Sequence, residues 1–402
     1  MTDPAPKPSA PQLFTAGFFL MWSFSFTVFL SAFMLLPTAP FHILATGGSR
    51  VSAGLFLGFL TYASALSAPI TGAIADRVGK RRMLILCSLA IAGFSVAYGV
   101  SHDYRVPLAL VVLHGVFWSG LLAASAAHMT DLIPEGRRAE GIAYWGLASV
   151  VAIALAPATG FWLYAHGWSL VCGVSALLNL AMAGIAWTLR ETSVRAFMGT
   201  ERSLAHLIEW RILLASFALF LYSFGYGGIT SFIAVYADAQ GVHPKEIFFT
   251  TFAGVVLLTR PVLGPLADRV GHKRIFYPCL LLIVAGLSLL TRAPTRSSLM
   301  LAALVFGSGF GTAYPVFVAY VMHHVPPSRR GAAFGGILAA FDVGVGTGSI
   351  GIGWISQQFG FPAAFGAAAL LSALSAPYFY FADRRWLAPV PDAARPRGDA
   401  AT

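Results

Sequence analysis

The sequence predicts an all-α integral membrane protein of twelve transmembrane helices in two pseudo-symmetric six-helix bundles. Three observations carry that prediction. Of the 402 residues, 57% are hydrophobic and only 10% charged, against ~45–50% and ~25% in a soluble chain. So little polar surface cannot coat a water-soluble body of this size. Apolar runs near the ~20 residues that a spanning helix needs recur twelve times. A charged loop in the first half also returns in the second at a fixed spacing.

The first twelve residues hold Pro4, Pro6, Pro8 and Pro11 and read as a short disordered tail. The run from Leu13 to Leu36 exceeds the ~7–15-residue core of a signal peptide, so it predicts a first span that stays in place. Further spans are expected near 52–75, 83–101, 107–129, 142–165 and 168–189, completing a bundle over 13–189. A link at 190–211 follows. The second bundle, 212–385, takes its spans at 212–236, 246–267, 275–291, 298–322, 332–357 and 362–382, and a second tail covers 386–402. Gly and Pro interrupt many of these runs, which helices in lipid tolerate.

The net charge of +10 is a topology signal rather than a sign of a nucleic-acid partner. With both termini on one side, twenty Lys and Arg fall on that side, including Arg77 to Arg82, Arg137, Arg138, Arg329 and Arg330. Arg50, Arg105, Lys245, Arg292 and Arg296 fall on the other, and Arg260 lies inside a span. By the positive-inside rule both termini are cytoplasmic, in a cytoplasmic (inner) membrane. Cys87, Cys172 and Cys279 sit in apolar runs without metal-ligand or disulfide spacing and read as small buried hydrophobes.

Residues 66–82, LSAPITGAIADRVGKRR, overlie 258–274, LTRPVLGPLADRVGHKR, at an offset of 192, with nine of seventeen positions identical. The same offset sets Ile133 to Arg138 over Val325 to Arg330. Two loops matched at one offset imply two homologous halves, and repeated halves are a transporter architecture. Gly72, Asp76, Arg77, Gly79, Lys80, Arg81 and Arg82 resemble the signature loop of the major facilitator superfamily. Its degenerate copy stands at Gly264, Asp268, Arg269, Gly271, His272, Lys273 and Arg274. The loop with Pro134, Arg137 and Arg138, the span count and the 190–211 link add to the resemblance. It implies a central cavity between the bundles, with alternating access to the two membrane faces.

Small residues such as Gly72 and Gly264 let helices in a membrane approach closely. Asp76 is expected near the positive N-terminus of the eleventh span at Gly331, and Asp268 near that of the fifth at Gly141. Each contact is worth ~0.3–1 kcal/mol, more where partly buried. Together they would latch the cytoplasmic face. Asp131 is the expected partner of Arg77, whereas Lys80, Arg81 and Arg82 can equally be topology anchors.

Arg260 and Asp342 are the charges well inside spans. A charge at mid-membrane costs ~2.5–3.5 kcal/mol on insertion scales, so its default reading is functional. Their counterparts at the 192 offset are Ala68 and Val150, which makes the second half the specialised one. At 1.5 Å per residue Arg260 lies ~12 Å and Asp342 ~16 Å from the cytoplasmic face. Either Asp342 carries a proton that Arg260 regulates, or the two form a structural pair, or Arg260 binds a substrate anion. His114 can titrate or serve packing. Trp22, Trp118, Tyr144, Trp145, Tyr222, Tyr226, Tyr314 and Phe341 lie on spans that line cavities in the family, and aromatics suit amphipathic or cationic ligands.

Gly346 to Gly351 satisfies GxGxxG but follows no strand, so close helix packing explains it better. The sequence holds no P-loop, HExxH or GxSxG, and no cofactor or metal is expected. The expected function is secondary active transport of a small organic solute, driven by protons and directed outward, by a monomer in a lipid bilayer. The alternatives are an importer of a sugar, organic anion or other metabolite, or a non-transporting receptor or scaffold. Ala156 to Phe161 matches the family's antiporter motif only in part, and the first span lacks the acidic residue common in multidrug members.

Overall fold

A computed structural model of the chain describes residues 12–191, 209–292, 295–326 and 329–387. Most of the expected tails, 1–12 and 386–402, and of the link 190–211 lies outside the described residues. The first half runs α1 (Ala16–Ala45), α2 (Arg50–Val78), α3 (Lys80–Val100), α4 (Arg105–Leu132), a 3₁₀ turn at Glu135–Arg137, α5 (Arg138–Tyr164) and α6 (Trp168–Thr188). The second runs α7 (Trp210–Ala215), α8 (Phe217–Ala239), α9 (Ile247–Val270), α10 (His272–Leu289), α11 (Arg296–Met322), α12 (Arg330–Ala373) and α13 (Ser375–Ala382).

Hydroxyl caps start several helices, as expected where orphan N–H groups need acceptors. The Thr15 hydroxyl accepts from Phe18 N–H at 3.2 Å, and Thr295 forms a capping box with Ser298. Two expectations about span limits are corrected. The first helix does not end at Leu36 but runs through Pro37 and Pro40 to Ala45, as helices in lipid tolerate proline, and the Thr38 hydroxyl there donates to the carbonyls of Met34 and Leu35. The seventh span is broken at Ser216 into α7 and α8. The last two expected spans, 332–357 and 362–382, are helical stretches that meet at Gly360, where φ is +83° and ψ 165°, and α12 runs across that kink.

Among the described residues ten helical segments are long and apolar enough to cross a bilayer, with 330–387 counted as one. Ile247–Arg260 in α9 is a shorter apolar stretch. The chain is a multi-pass, all-α integral membrane protein.

The sequence repeat is also a structural one. Shifted by 192, α2 falls on α9, α3 on α10, α4 on α11, and α6 on the stretch after Gly360. Gly79 (φ +102°, ψ 138°) and Gly271 (φ +104°, ψ 129°) end α2 and α9 in one conformation. Each donates its N–H to a carbonyl four residues back, that of Ala75 or Ala267. That backbone geometry favours glycine, which explains the invariant residue in both copies of the loop.

Among the described residues α8 is the most enclosed of the long apolar helices, buried along nearly its whole length. Its Gly225, Gly227 and Gly228 admit neighbouring helices closely. A Cβ at Gly227 would stand 1.9 Å from the Val345 carbonyl oxygen on α12. The two halves meet along α2 with α12, α5 with α9, and α1 with α8. The end of the molecule carrying the two repeated loops is the loop face, and the other end is the opposite face.

Candidate functional site

The α2–α12 seam is tight toward the opposite face. Arg50 Nη1 donates to Ser356 O at 2.6 Å, Val51 N–H to Gln357 Oε1 at 3.4 Å, and Ser349 Oγ to Gly54 O at 2.9 Å. Tyr62 and Thr347 share a hydroxyl hydrogen bond of 2.8 Å. A Cβ on Gly54 would come 2.4 Å from Ser349 O, so the two backbones touch. Gly346 and Gly348 of the GxGxxG stretch face Thr61 on α2 and Phe224 on α8 respectively. The glycines there serve helix packing.

Two cations cross between the halves at the same end. Arg50 lies 4.5 Å from the ring centroid of Phe361, past the Gly360 turn. Lys245, between α8 and α9, sits among Phe41, Phe161 and Tyr164 of the first half at 4.3, 5.3 and 5.8 Å. Each contact of this kind is worth ~0.5–1 kcal/mol when exposed and ~2 or more when desolvated. Each half thus lends one cation to the aromatic rings of the other.

Toward the loop face the seam comes apart. Gly72 on α2 and Gly331 and Gly335 on α12 have no atom within 4 Å of where a Cβ would stand. Gly72 therefore makes no close helix approach here, which corrects the packing expected of it. Asp76 and Arg77 are exposed, and Asp76 has no hydrogen bond or ion pair among the described residues. Gly141 packs on Ile133 instead of meeting Asp268. Asp268 lies 3.2 Å from His272 Nε2. Arg269 and Arg274 are exposed, and Gly264 lies within α9. The expected carboxylate contacts with helix N-termini are absent because the helix ends that would make them stand apart.

The charges of the two loops are spent inside each half. Asp131 takes Lys80, three residues beyond the Arg77 expected to reach it. Arg81 donates to Trp187 O at 2.6 Å, stacks on that ring, and gives its backbone N–H to Glu191 Oε1 at 3.3 Å. In the second half Lys273 pairs with Asp383, which also accepts from the Tyr320 hydroxyl. Glu191 and Asp383 are themselves 192 residues apart, as are Arg81 and Lys273. Each half ties the start of its third helix to a carboxylate after its sixth. Neither carboxylate was among the sequence candidates, although carrying the offset past residue 138 would have found both.

Asp383 is buried while Glu191 is exposed, which separates their energetics. Removing the charge at Asp383 leaves one neutral acceptor where Lys273 and Tyr320 had two charged ones, a loss of about 1–3 kcal/mol. An exposed tie such as that of Glu191 is worth ~0–1 kcal/mol. Melting of detergent-purified protein should therefore drop further for Asp383→Asn than for Glu191→Gln. Equal melting temperatures would remove the distinction.

At mid-depth the second half gathers four of the expected residues. Tyr226 stacks on Phe310 at 4.2 Å, Tyr314 meets Phe341 edge-on at 5.1 Å, and Phe341 lies 6.1 Å from Phe310. Asp342 follows Phe341, beside Tyr314 and within hydrogen-bonding reach of the Ser64 hydroxyl on α2. No Lys or Arg forms an ion pair with it among the described residues. Asp342 stands where the α2–α12 contacts end and the separation begins.

Arg260 is not part of that group. It lines a cleft of about 240 Å³ with Ala267, Asp268, His272, Thr312, Pro315, Val316 and Ala319. At 100° per residue those α11 positions lie roughly 150° around the helix from Tyr314. Arg260 and Asp342 match in depth but sit on different sides of α11, which speaks against the alternative of a structural pair.

The remaining candidates scatter. His114 is buried between α3 and α4, with its Nδ1 3.1 Å from the Tyr98 hydroxyl and Phe94 stacked alongside. Trp118 meets Phe29 of α1 edge-on. Tyr144 is exposed near the loop face and its carbonyl accepts from Trp22 Nε1. Trp145 bonds Ser25 at 2.6 Å, and Tyr222 is packed between Phe276 and Phe310.

Known proteins share this fold. The chain is 26% identical over 383 residues to an uncharacterized MFS-type transporter of Burkholderia pseudomallei (strain 1106a), covering 92% of this chain and 93% of that one. Its fold resembles a bacterial homolog of the human lysosomal transporter Spinster, solved inward-facing and unoccupied. The TM-score is 0.76 at 16% identity, over 94% of this chain and 98% of that one. It also resembles a mutant of the nucleoside transporter NupG, with a TM-score of 0.75 at 14% identity over 91% and 99%. The family model described as Major Facilitator Superfamily matches residues 21–248 and 215–401, two overlapping stretches that follow the two halves of the repeat. With its paired loops, its repeated helices and this match over most of its length, the chain belongs to the Major Facilitator Superfamily, a family of transporters rather than enzymes.

Proposed function

We propose that the protein is a proton-coupled exporter of a small organic solute, acting as a monomer by alternating access in the cytoplasmic membrane. Its twelve spans form two six-helix bundles, 13–189 and 212–385, when α12 is divided at Gly360 and α9 is counted. The loop face carries most of the Lys and Arg, so the positive-inside rule assigns it to the cytoplasm. The state described above is then open inward and shut outward.

One observation carries the reading: Asp342, a mid-membrane carboxylate with no cation paired to it among the described residues, sits at the fork where α2 and α12 part. A proton on Asp342 removes a charge at the point where the halves separate. Proton binding and opening therefore act on the same contact, which is the requirement for coupling. The neighbouring aromatic rings offer flat apolar surface for an organic ligand. Solute flux into or out of proteoliposomes under an imposed pH gradient, with solutes drawn from a ligand-stabilisation screen, tests the proposal. Flux that ignores the gradient would remove the coupling, and no flux of any stabilising ligand would remove the transporter.

Asp76 has its role in the opposite state. When the loop face closes, its carboxylate meets the N-terminus of α12, a contact of ~0.3–1 kcal/mol. Asp76→Asn should slow transport roughly two- to fivefold while leaving the protein in the membrane, because the closed inward gate loses that contact. Wild-type turnover in this variant would sink the gate.

A further inference from the structure

We infer that the cleft between α9, α10 and α11 is a binding site for an anionic group, a carboxylate or a phosphate, separate from Asp342. Arg260 is half-buried within a span, and it takes part in no hydrogen bond or ion pair among the described residues. A guanidinium at that depth calls for a partner. Thr312 is 3% exposed and its hydroxyl also has no hydrogen-bond partner among the described residues. Both residues line the same cleft, with Arg260 supplying a charged donor and Thr312 an unpartnered hydroxyl enclosed in its wall.

The first half shows that the fold does not require this cleft. At the 192 offset Arg260, Thr312, Pro315 and Val316 correspond to Ala68, Gly120, Ala123 and Ala124. There a Cβ on Gly120 would stand 2.5 Å from Met83 Cε and 3.2 Å from Cys87 Sγ. The equivalent region is filled in one half and opened around a cation in the other.

The lining sets the class of ligand. Asp268 at the cleft is exposed and lies 3.2 Å from His272 Nε2, whereas Arg260 is the half-buried charge of the lining with no partner among the described residues. The Arg260 fork matches an oxyanion with two acceptor oxygens. Pro315, Val316 and Ala319 offer a short apolar wall beside it. At about 240 Å³ the cleft is smaller than the ~300–1,000 Å³ of drug-sized sites, so it fits a headgroup or a small acid rather than a whole amphipathic drug. The site does not rest on the coupling role of Asp342.

The test is thermal melting of the purified full-length chain in neutral detergent at constant ionic strength. Inorganic phosphate, benzoate and phosphatidylglycerol are the probes, with chloride and phosphatidylcholine as controls. A saturable rise in Tm with at least one anionic probe, and with neither control, is expected. Its midpoint should move about tenfold or more in Arg260→Gln, recover in Arg260→Lys, and stay unchanged in Asp342→Asn. A response to phosphate or benzoate identifies a free anion, and a response to phosphatidylglycerol alone identifies a lipid headgroup. No saturable response, or an unchanged midpoint in Arg260→Gln, overturns the site. Ala319→Phe keeps the arginine but fills the cleft, so it must abolish the response even if Arg260→Gln cannot be purified. A wild-type response in Ala319→Phe overturns the site as well.

Discussion

Asp342→Asn is expected to reduce pH-driven solute movement to the level of protein-free vesicles, while the protein still folds and reaches the membrane. The amide keeps the size of the side chain and an oxygen within reach of the Ser64 hydroxyl, so packing at the fork survives. What is lost is the ability to gain and release a proton at the place where α2 and α12 separate. Solute exchange with no pH gradient should persist at a measurable rate, because the halves can still rock. Paired assays, one driven by a gradient and one at equal pH, distinguish a coupling residue from a structural one. Loss in both assays would make Asp342 structural, and loss in neither would end its role in coupling.

Gly54→Val should have the next largest effect, on the balance between the two states. Its Cβ would stand 2.4 Å from a backbone oxygen of the other half, and backbone cannot step aside as a flexible side chain does. Overpacking of this kind costs ~1–3 kcal/mol. The contact exists only while the opposite face is shut, so the cost falls on that state and shifts the equilibrium roughly 5- to 150-fold toward opening. A cysteine placed at Tyr62 should then react faster with an impermeant maleimide added from the opposite face. The native Cys87, Cys172 and Cys279 are free and buried, which keeps the labelling background low. Unchanged labelling would mean that the Gly54 contact does not hold the seam.

Much of the fold was legible because a membrane chain writes its architecture in two simple codes. Apolar runs set the spans, and the duplicated Gly-Asp-Arg loop set the halves. The errors came where tertiary contacts override local signals, as at Pro37 and Ser216. The site was legible in depth but not in direction. Arg260 and Asp342 were placed at similar depths by the rise per residue, yet nothing in a single sequence fixes how far each helix is rotated. That rotation put them on different sides of α11. The aromatic group of Tyr226, Tyr314 and Phe341 was found because it clusters on helices expected at the cavity. Lys245 among Phe41, Phe161 and Tyr164 was not, since that contact joins a loop to helices about 80 to 200 positions earlier in the chain.

The way the opposite face is held shut has a consequence for how the protein responds to its surroundings. Among the described residues no Lys or Arg pairs with an Asp or Glu across the two halves. The closure rests on cations against rings, backbone touching backbone, and hydroxyl bonds. Mobile ions screen exposed charges over a Debye length of ~8–10 Å at physiological strength, but they reach enclosed contacts of this sort poorly. The exposed carboxylates and bases of the loop face are open to such screening. A rise in ionic strength thus weighs more on the loop face than on the contacts that shut the opposite face, making salt a lever on which end of the molecule opens.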